Sequence, residues 1–363
     1  MTANTVSYGF QNLTNLFDQR VETVGVQTVF DAIQASIAEH NRQMAALTSL
    51  FVEPTTEFQR RYRTPSSSRL QPLDENGRAR PTLPAGAYDV AWPIQSGGSA
   101  TGFNRISRIK MTVEDANEMT AMMLGADFRW MRDHILAALF YDAGGDGTGW
   151  TYNDPNDDIG ALNIMGLADG DTTVYNVSGG SDAGATDDHI VAQAAAIADA
   201  SNPFPTDYAD LVEHPDNSGE VVSIIPTNLK ASVEALATFY PISDPNLRSG
   251  TGVTELAGSL GVAVPGEVIG YVDRVWVVEW RSMPSSYMIT TTTGGRRALR
   301  MRQHPEAELQ GFRLVAERSD HPFSESQWER HAGFGAWNRV GAVVRRISNG
   351  TYAVPTGYES PMA

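Results

Sequence analysis

The chain has 363 residues, 41% of them hydrophobic, and a formal net charge of −16 at pH 7. That size fits two or three domains, or one large discontinuous one with a real core; it excludes global disorder, and the charge disfavours nonspecific binding to nucleic acid. The sequence contains no cysteine, which excludes disulfides, thiolate catalysis and cysteine zinc sites, and no apolar run of the roughly 18 residues that would span a membrane.

The first ten residues, MTANTVSYGF, carry neither a basic region nor an apolar core, so they do not read as a signal peptide. Residues 1–24 are weakly periodic and read as an extended arm. From Val26 to Phe51 apolar residues recur at helical spacing (Val26, Phe30, Ile33, Ile37, Met44, Leu47, Phe51), and Pro54 ends the run. Residues 54–110 differ in kind, with six prolines, five glycines and the serine triplet Ser66 to Ser68. The DENG segment Asp74 to Gly77 is a hairpin-turn signal with Asn76 and Gly77 as the tip, and residues 87–94 have strand character. A long two-stranded excursion stabilised by a neighbour is the expectation.

Charge is segregated along the chain. Residues 54–110 hold nine basic residues (Arg60, Arg61, Arg63, Arg69, Arg78, Arg80, Arg105, Arg108, Lys110) against four acids (Glu57, Asp74, Glu75, Asp89). Residues 144–220 hold fifteen acids and no Lys or Arg. Opposite charge on separate segments is what copies of a self-assembling subunit can use to find each other; a plain solvated surface is the simpler reading of each run.

Residues 112–143 are the organising element. Val113, Ala116, Met119, Met123, Ala126, Trp130, Ala137 and Tyr141 lie at the spacing of one helix face. Thr112 and Asp115 make an acidic capping box, and Gly144 and Gly145 mark the stop. Such a rod is about 45 Å long. His134 on it reads as a packed or interface histidine, and its methionines and Trp130 as core or interface. Beyond the rod, residues 187–200 read as a second helix, residues 221–225 as a buried strand and residues 227–239 as a helix after Pro226. Residues 268–280 read as a strand pair or one long strand, with further strands at 287–293, 312–316 and 342–347. The chain is therefore mixed α+β.

Catalytic signals are poor. The seven histidines form no HExxH and no close His-x-His. Ser259 in AGSLG lacks the Gly two before it that a nucleophile elbow usually has. Asp154, Asp157 and Asp158 invite a calcium reading, but their spacing does not match the EF-hand. Gly145, Gly147 and Gly149 lack the Lys-Ser/Thr of a phosphate loop. No cofactor and no metal are expected.

The order of parts carries a resemblance: a helix, a long β excursion, a long helix running into a Gly-rich loop with NIMGLADG, a strand-Pro-helix unit (VVSIIPTNLKASVEAL), a strand-rich portion and the closing GAVVRRISNGTYAVP. This order resembles the major capsid proteins of tailed bacteriophages, with the Hong Kong 97 fold, over residues 25–355. The resemblance implies an N-terminal arm and helix (1–53), an extended β-hairpin loop lying on a neighbouring subunit (54–110), and a peripheral domain (111–220) built on a spine helix at 112–143. It further implies an axial domain (221–299) around five-fold and six-fold axes, and strands returning to the peripheral domain (300–363). The implied function is a non-enzymatic virion protein, assembled in the host cytoplasm, whose pentamers and hexamers close an icosahedral shell around double-stranded DNA. Portal, scaffold or cement proteins are its implied partners, with no membrane.

Expected contacts between subunits are Arg60, Arg61, Arg63, Arg69, Arg78, Arg80 and Trp92 on the excursion, and Asp154, Asp157 and Asp158 on the acidic side. Some family members weld subunits through an excursion Lys and a C-terminal Asn. Here residues 54–108 contain no Lys and Lys110 lies at the base, so noncovalent overlap is expected. A large N-terminal scaffolding region is not seen, which implies a separate scaffold, a cleaved region or none. An encapsulin-like nanocompartment shares the implied fold, and a calcium-binding soluble enzyme using the Asp-rich loop is the alternative of another class.

Overall fold

Two helices lie side by side and run in the same direction. In α2 (Val26–Thr48) the buried residues Val29, Ala32, Ser36, His40, Met44 and Leu47 recur every three or four positions, with Ile37 beside Ser36. In α3 (Val113–Phe140) they include Val113, Ala116, Thr120, Met123, Asp127, Met131 and Ile135. Val29 and Ala32 share a cluster with Val113 and Ala116, Ile37 shares one with Met123 and Leu124, and His40 meets Asp127. Parallel packing forces the chain to travel back the length of a helix between them. Strand β4 (Gln95–Asn104) makes that return: Gln95 bonds His134, and Gly97 lies where a Cβ would meet the Trp130 ring, so β4 heads toward the start of α3.

The computed structural model describes residues 9–10, 12–63, 72–78, 87–104, 109–142, 150–152, 162–170, 188–214, 216–242, 263–320 and 323–359. The expected capping box is present at α3, with Asp115 N–H donating to Thr112 Oγ1 (3.2 Å) and Thr112 N–H to Asp115 Oδ2 (2.9 Å). The helix stops at Phe140, short of the expected 143, where Tyr141 turns extended and the Tyr352 hydroxyl donates to the Phe140 carbonyl. Gly144 and Gly145 lie outside the described residues. The arm is not simply extended: a 3-10 turn (Thr14–Leu16) and a short helix α1 (Val21–Val24) follow Phe10 and Leu13, which pack on the start of α2 and α3.

A five-stranded sheet is built on β15 (Phe323–Ala336). It pairs with β14 (Arg313–Asp320) on one side and with β4 on the other, then with β13 (Leu299–Arg302), whose far edge takes β1 (Val52–Thr55) in parallel. The excursion supplies β2 (Gln59–Arg63) and β3 (Ala87–Ala91), an antiparallel pair. At the tip Gly77 N–H donates to the Asp74 carbonyl with Gly77 at φ +71°, so Glu75 and Asn76 occupy the turn and Gly77 takes the left-handed position after it. This shifts the expected tip pair by one residue. A further pair joins β5 (Trp150–Tyr152) to β6 (Leu162–Ile164).

The second sheet has seven strands. Its order is β7 (Ile190–Gln193), β16 (Ala342–Ile347), β12 (Tyr287–Gly295), β8 (Asn217–Ile225), β11 (Val275–Glu279), β10 (Glu267–Val272) and β9 (Phe239–Pro241). Val221, Ile225, Val275, Val277, Met288 and Val343 from it pack with α4 (Phe204–Val212) and α5 (Thr227–Glu234) in one cluster. The expected strand pair at 268–280 is the β10–β11 hairpin, turning at Asp273 (φ 42°) and Arg274 (φ 73°).

Two expectations are corrected. The helix expected at 187–200 is not formed over its described residues, 188–200: Ile190–Gln193 pairs in parallel with β16, and a 3-10 turn covers Asp199–Ser201. Ladder pairing outweighs the helix propensity of the alanines there. Helix α5 ends at Glu234, because Phe239–Pro241 joins the sheet edge beside β10. The closing strand Ala342–Ile347 lies inside the seven-stranded sheet, between β12 and β7.

Candidate assembly interface

The excursion leaves the body at β1, and its root is a cluster of arginines on aromatic rings. Strand alternation puts Arg300 and Arg302 of β13 on one face while Leu299 and Met301 enter the core. Arg300 stacks over Trp337 (4.0 Å to the centroid) and Trp92 (5.5 Å), and Arg302 over Phe58 (4.7 Å). Arg300 donates to Glu57 Oε2 (3.2 Å) and Glu53 Oε1 (3.4 Å). Burial pushes both guanidiniums down from their ordinary range, with Glu53 opposing the shift at Arg300; an arginine nonetheless stays charged. Arg60 enters from β2, over Trp337 at 5.4 Å and 3.2 Å from Glu57 Oε2. A cleft of about 350 Å³ opens here, lined by residues 54–57 with Arg60, Arg300 and Gln303.

The structure places the expected contact residues unequally. Arg60 and Arg61 are exposed on β2, with Arg61 Nε 3.6 Å from Asp89 across the ladder. Arg63 pairs through its backbone with Ala87. Arg78 is exposed at the turn, its N–H donating to Asp74 Oδ1. Arg69, Arg80, Asp154, Asp157 and Asp158 lie outside the described residues, as do Ser259 and the Gly145, Gly147 and Gly149 loop. Trp92 is a correction: it is wholly buried, donating from Nε1 to the Gly335 carbonyl (3.3 Å), and offers the neighbour no surface. Its partners Trp337 and Gly335 arrive from the far end of the sequence, out of reach of the local strand pattern at 87–94. Glu53, Glu57, Arg300, Arg302 and Trp337 were not singled out. The alternation Leu299, Arg300, Met301, Arg302 was the available signal.

His134 is packed as expected. Its Nδ1 lies 2.8 Å from the Trp130 carbonyl and its Nε2 3.0 Å from Gln95 Oε1, and burial holds its pKa below the ordinary value. The described acids of the 144–220 segment divide by environment. Asp207 is buried and bonded by Arg345 and Thr290. Asp188, Asp199 and Glu220 are exposed. Asp169 bonds Asp142 and Asp188; burial first, then those two carboxylates, push it up to about 7. Among the described residues no group of three or more His, Asp or Glu is arranged to hold a metal ion, and no helix is long and apolar enough to cross a membrane.

No family model and no curated protein matches the chain. Solved structures do. A chain of Mycobacterium phage Patience is 19% identical, matches 100% of both chains and superposes with a TM-score of 0.64. The capsid of Ralstonia phage GP4 is 12% identical, with 84% of this chain and 91% of that one covered at a TM-score of 0.51. The chain therefore shares its fold with these two phage structures, over its whole length with the first and over most of it with the Ralstonia phage GP4 capsid.

Proposed function

We propose that this chain is a major capsid protein: a structural, non-enzymatic subunit that self-assembles through pentamers and hexamers into an icosahedral shell enclosing double-stranded DNA. The observation that carries this reading is the fold shared with the Mycobacterium phage Patience chain along its whole length and with the Ralstonia phage GP4 capsid over 84% of it. The segregation of charge supports it, since a basic excursion and an acid-rich segment on one chain suit contacts between copies. In this reading α3 is the spine of the peripheral domain, residues 54–110 reach over a neighbour, and the seven-stranded sheet forms the axial domain. Without a Lys in residues 54–108 the overlap is noncovalent. Portal, scaffold or cement proteins complete the virion, which forms in the host cytoplasm.

The test is light scattering with negative-stain imaging of the purified recombinant protein. Closed shells tens of nanometres across are the expected result. A monodisperse monomer at every salt and crowding condition overturns the reading.

A further inference from the structure

The root cleft holds two guanidiniums on one carboxylate oxygen. Glu57 Oε2 lies 3.2 Å from both Arg60 Nη1 and Arg300 Nη1. Both arginines also lie over the Trp337 ring. Like charges are thus held close, offset by one shared acid and by stacking. Glu53 reaches Arg300 at 3.4 Å, Arg302 adds a third guanidinium on Phe58, and the cluster keeps an excess of positive charge. Arg300 is 7% exposed and its Nε has no hydrogen-bond partner among the described residues. Arg60 and Glu57 are about half exposed, so one side of the shared pair opens to solvent along the edge strand β1.

We propose that this cleft is a socket for a carboxylate side chain from the acid-rich segment of a second copy of this chain, and that Glu57 is an internal stand-in which holds Arg60 until the neighbour arrives. The proposal rests on the shell reading above and names the chemistry of its contact. Charge complementarity selects the occupant: residues 144–220 carry fifteen acids and no Lys or Arg. A second copy also comes at high local concentration in a growing shell. Nucleic acid is the less favoured occupant, given a net charge of −16.

The two roles of Glu57 make opposite predictions. As a stand-in, it competes with the neighbour, so Glu57→Gln speeds assembly about tenfold, followed by light scattering, while Arg60→Glu slows it at least tenfold. Added salt narrows both differences. As a mere brace of the root, its loss slows assembly as the loss of Arg60 does, and that result overturns the proposal. Where Glu57→Gln lowers the subunit's melting temperature, Glu53→Gln, which removes one of the two acids on Arg300 and leaves the Arg60–Glu57 pair in place, carries the same expected sign. Wild-type shells forming at the same rate as both variants overturn this inference while leaving the shell reading intact. A wild type that never assembles overturns the shell reading and this inference with it. A DNA duplex retained by the wild type and lost by Arg60→Glu, with assembly unchanged, assigns the socket to phosphate and overturns it too.

Discussion

Asp127 and Asp169 are two carboxylates near α3 that respond to pH in opposite ways. Asp127 faces inward from the middle of the helix. Arg330 of β15 bonds both its oxygens, through Nε and through Nη2 at 2.7 Å, and His40 Nε2 of α2 lies 2.7 Å from Oδ2. Burial would raise its pKa, yet the His40 bond and the Arg330 charge hold it below the usual range. Asp169 sits past the end of the same helix with Asp142 and Asp188 for company, and is pushed up to about 7. The partner's sign decides the direction, and burial alone does not. At Asp127 a cation from a distant strand meets the acid; at Asp169 two further acids crowd it beyond the negative pole of a 28-residue helix.

Breaking the first site gives the largest expected effect. Arg330→Met leaves Asp127 buried without its bidentate partner, and about 3–5 kcal/mol of subunit stability is lost, read as the shift in a urea unfolding midpoint at constant slope. Replacing Asp127 with Asn as well recovers part of the loss. A single variant that unfolds like the wild type breaks the comparison.

The second site gives a smaller effect of distinctive sign. Asp169 has a folded pKa of about 7, against 3.8 for an ordinary aspartate. The folded state therefore binds the extra proton, and stability present at low pH is lost as pH rises through about 7. His189 pulls the other way. Burial, then the His214 and Arg339 charges, bring it from 6.5 to about 3, so its cost appears as pH falls below 6.5. Between about pH 6.5 and 8.5 the Asp169 effect stands apart. Wild-type melting temperature should fall across that window by the equivalent of no more than about 0.5 kcal/mol, because most of the loss lies between pH 3.8 and 7 and the group is partly exposed to solvent. Asp169→Asn should flatten the slope, and equal slopes in the two proteins refute the raised Asp169 pKa.

These sites also mark where the sequence is legible. Helix α3 could be read from its cap and its periodicity because both are local. So could the β10–β11 hairpin, whose buried pattern is nearly continuous from Val268 to Val278. The Asp127 network could not. Its partners lie 87 and 203 positions away, and an acid on the inner face breaks the apolar pattern used to find that face. The helix expected at 187–200 failed for a related reason, since only the distant β16 makes Ile190–Gln193 a strand. At the interface, the basic excursion was legible as composition. The residues that give Arg60 its setting, Arg300 and Trp337, come from the other end of the chain.

The comparison sharpens along α3 itself, which carries acids at both poles. Asp115 and Glu114 sit in the first turn, where the dipole favours them and Asp115 closes the capping box. Thr112→Ala should cost about 1 kcal/mol. Asp142→Asn, at the opposite pole, should gain about 0.3–1 kcal/mol above pH 7 and less below it, because Asp169 then carries its proton and repels its neighbour less. The smallest effect belongs to Arg61, whose Asp89 partner is 3.6 Å away and half exposed. Arg61→Ala should change subunit stability by less than about 0.5 kcal/mol. If the exposed face of β2 meets a neighbour, the same substitution should still slow assembly at low salt, where unscreened charge counts most. A variant that assembles at the wild-type rate even at low salt would confine the contact to the root, at Arg60 and Arg300.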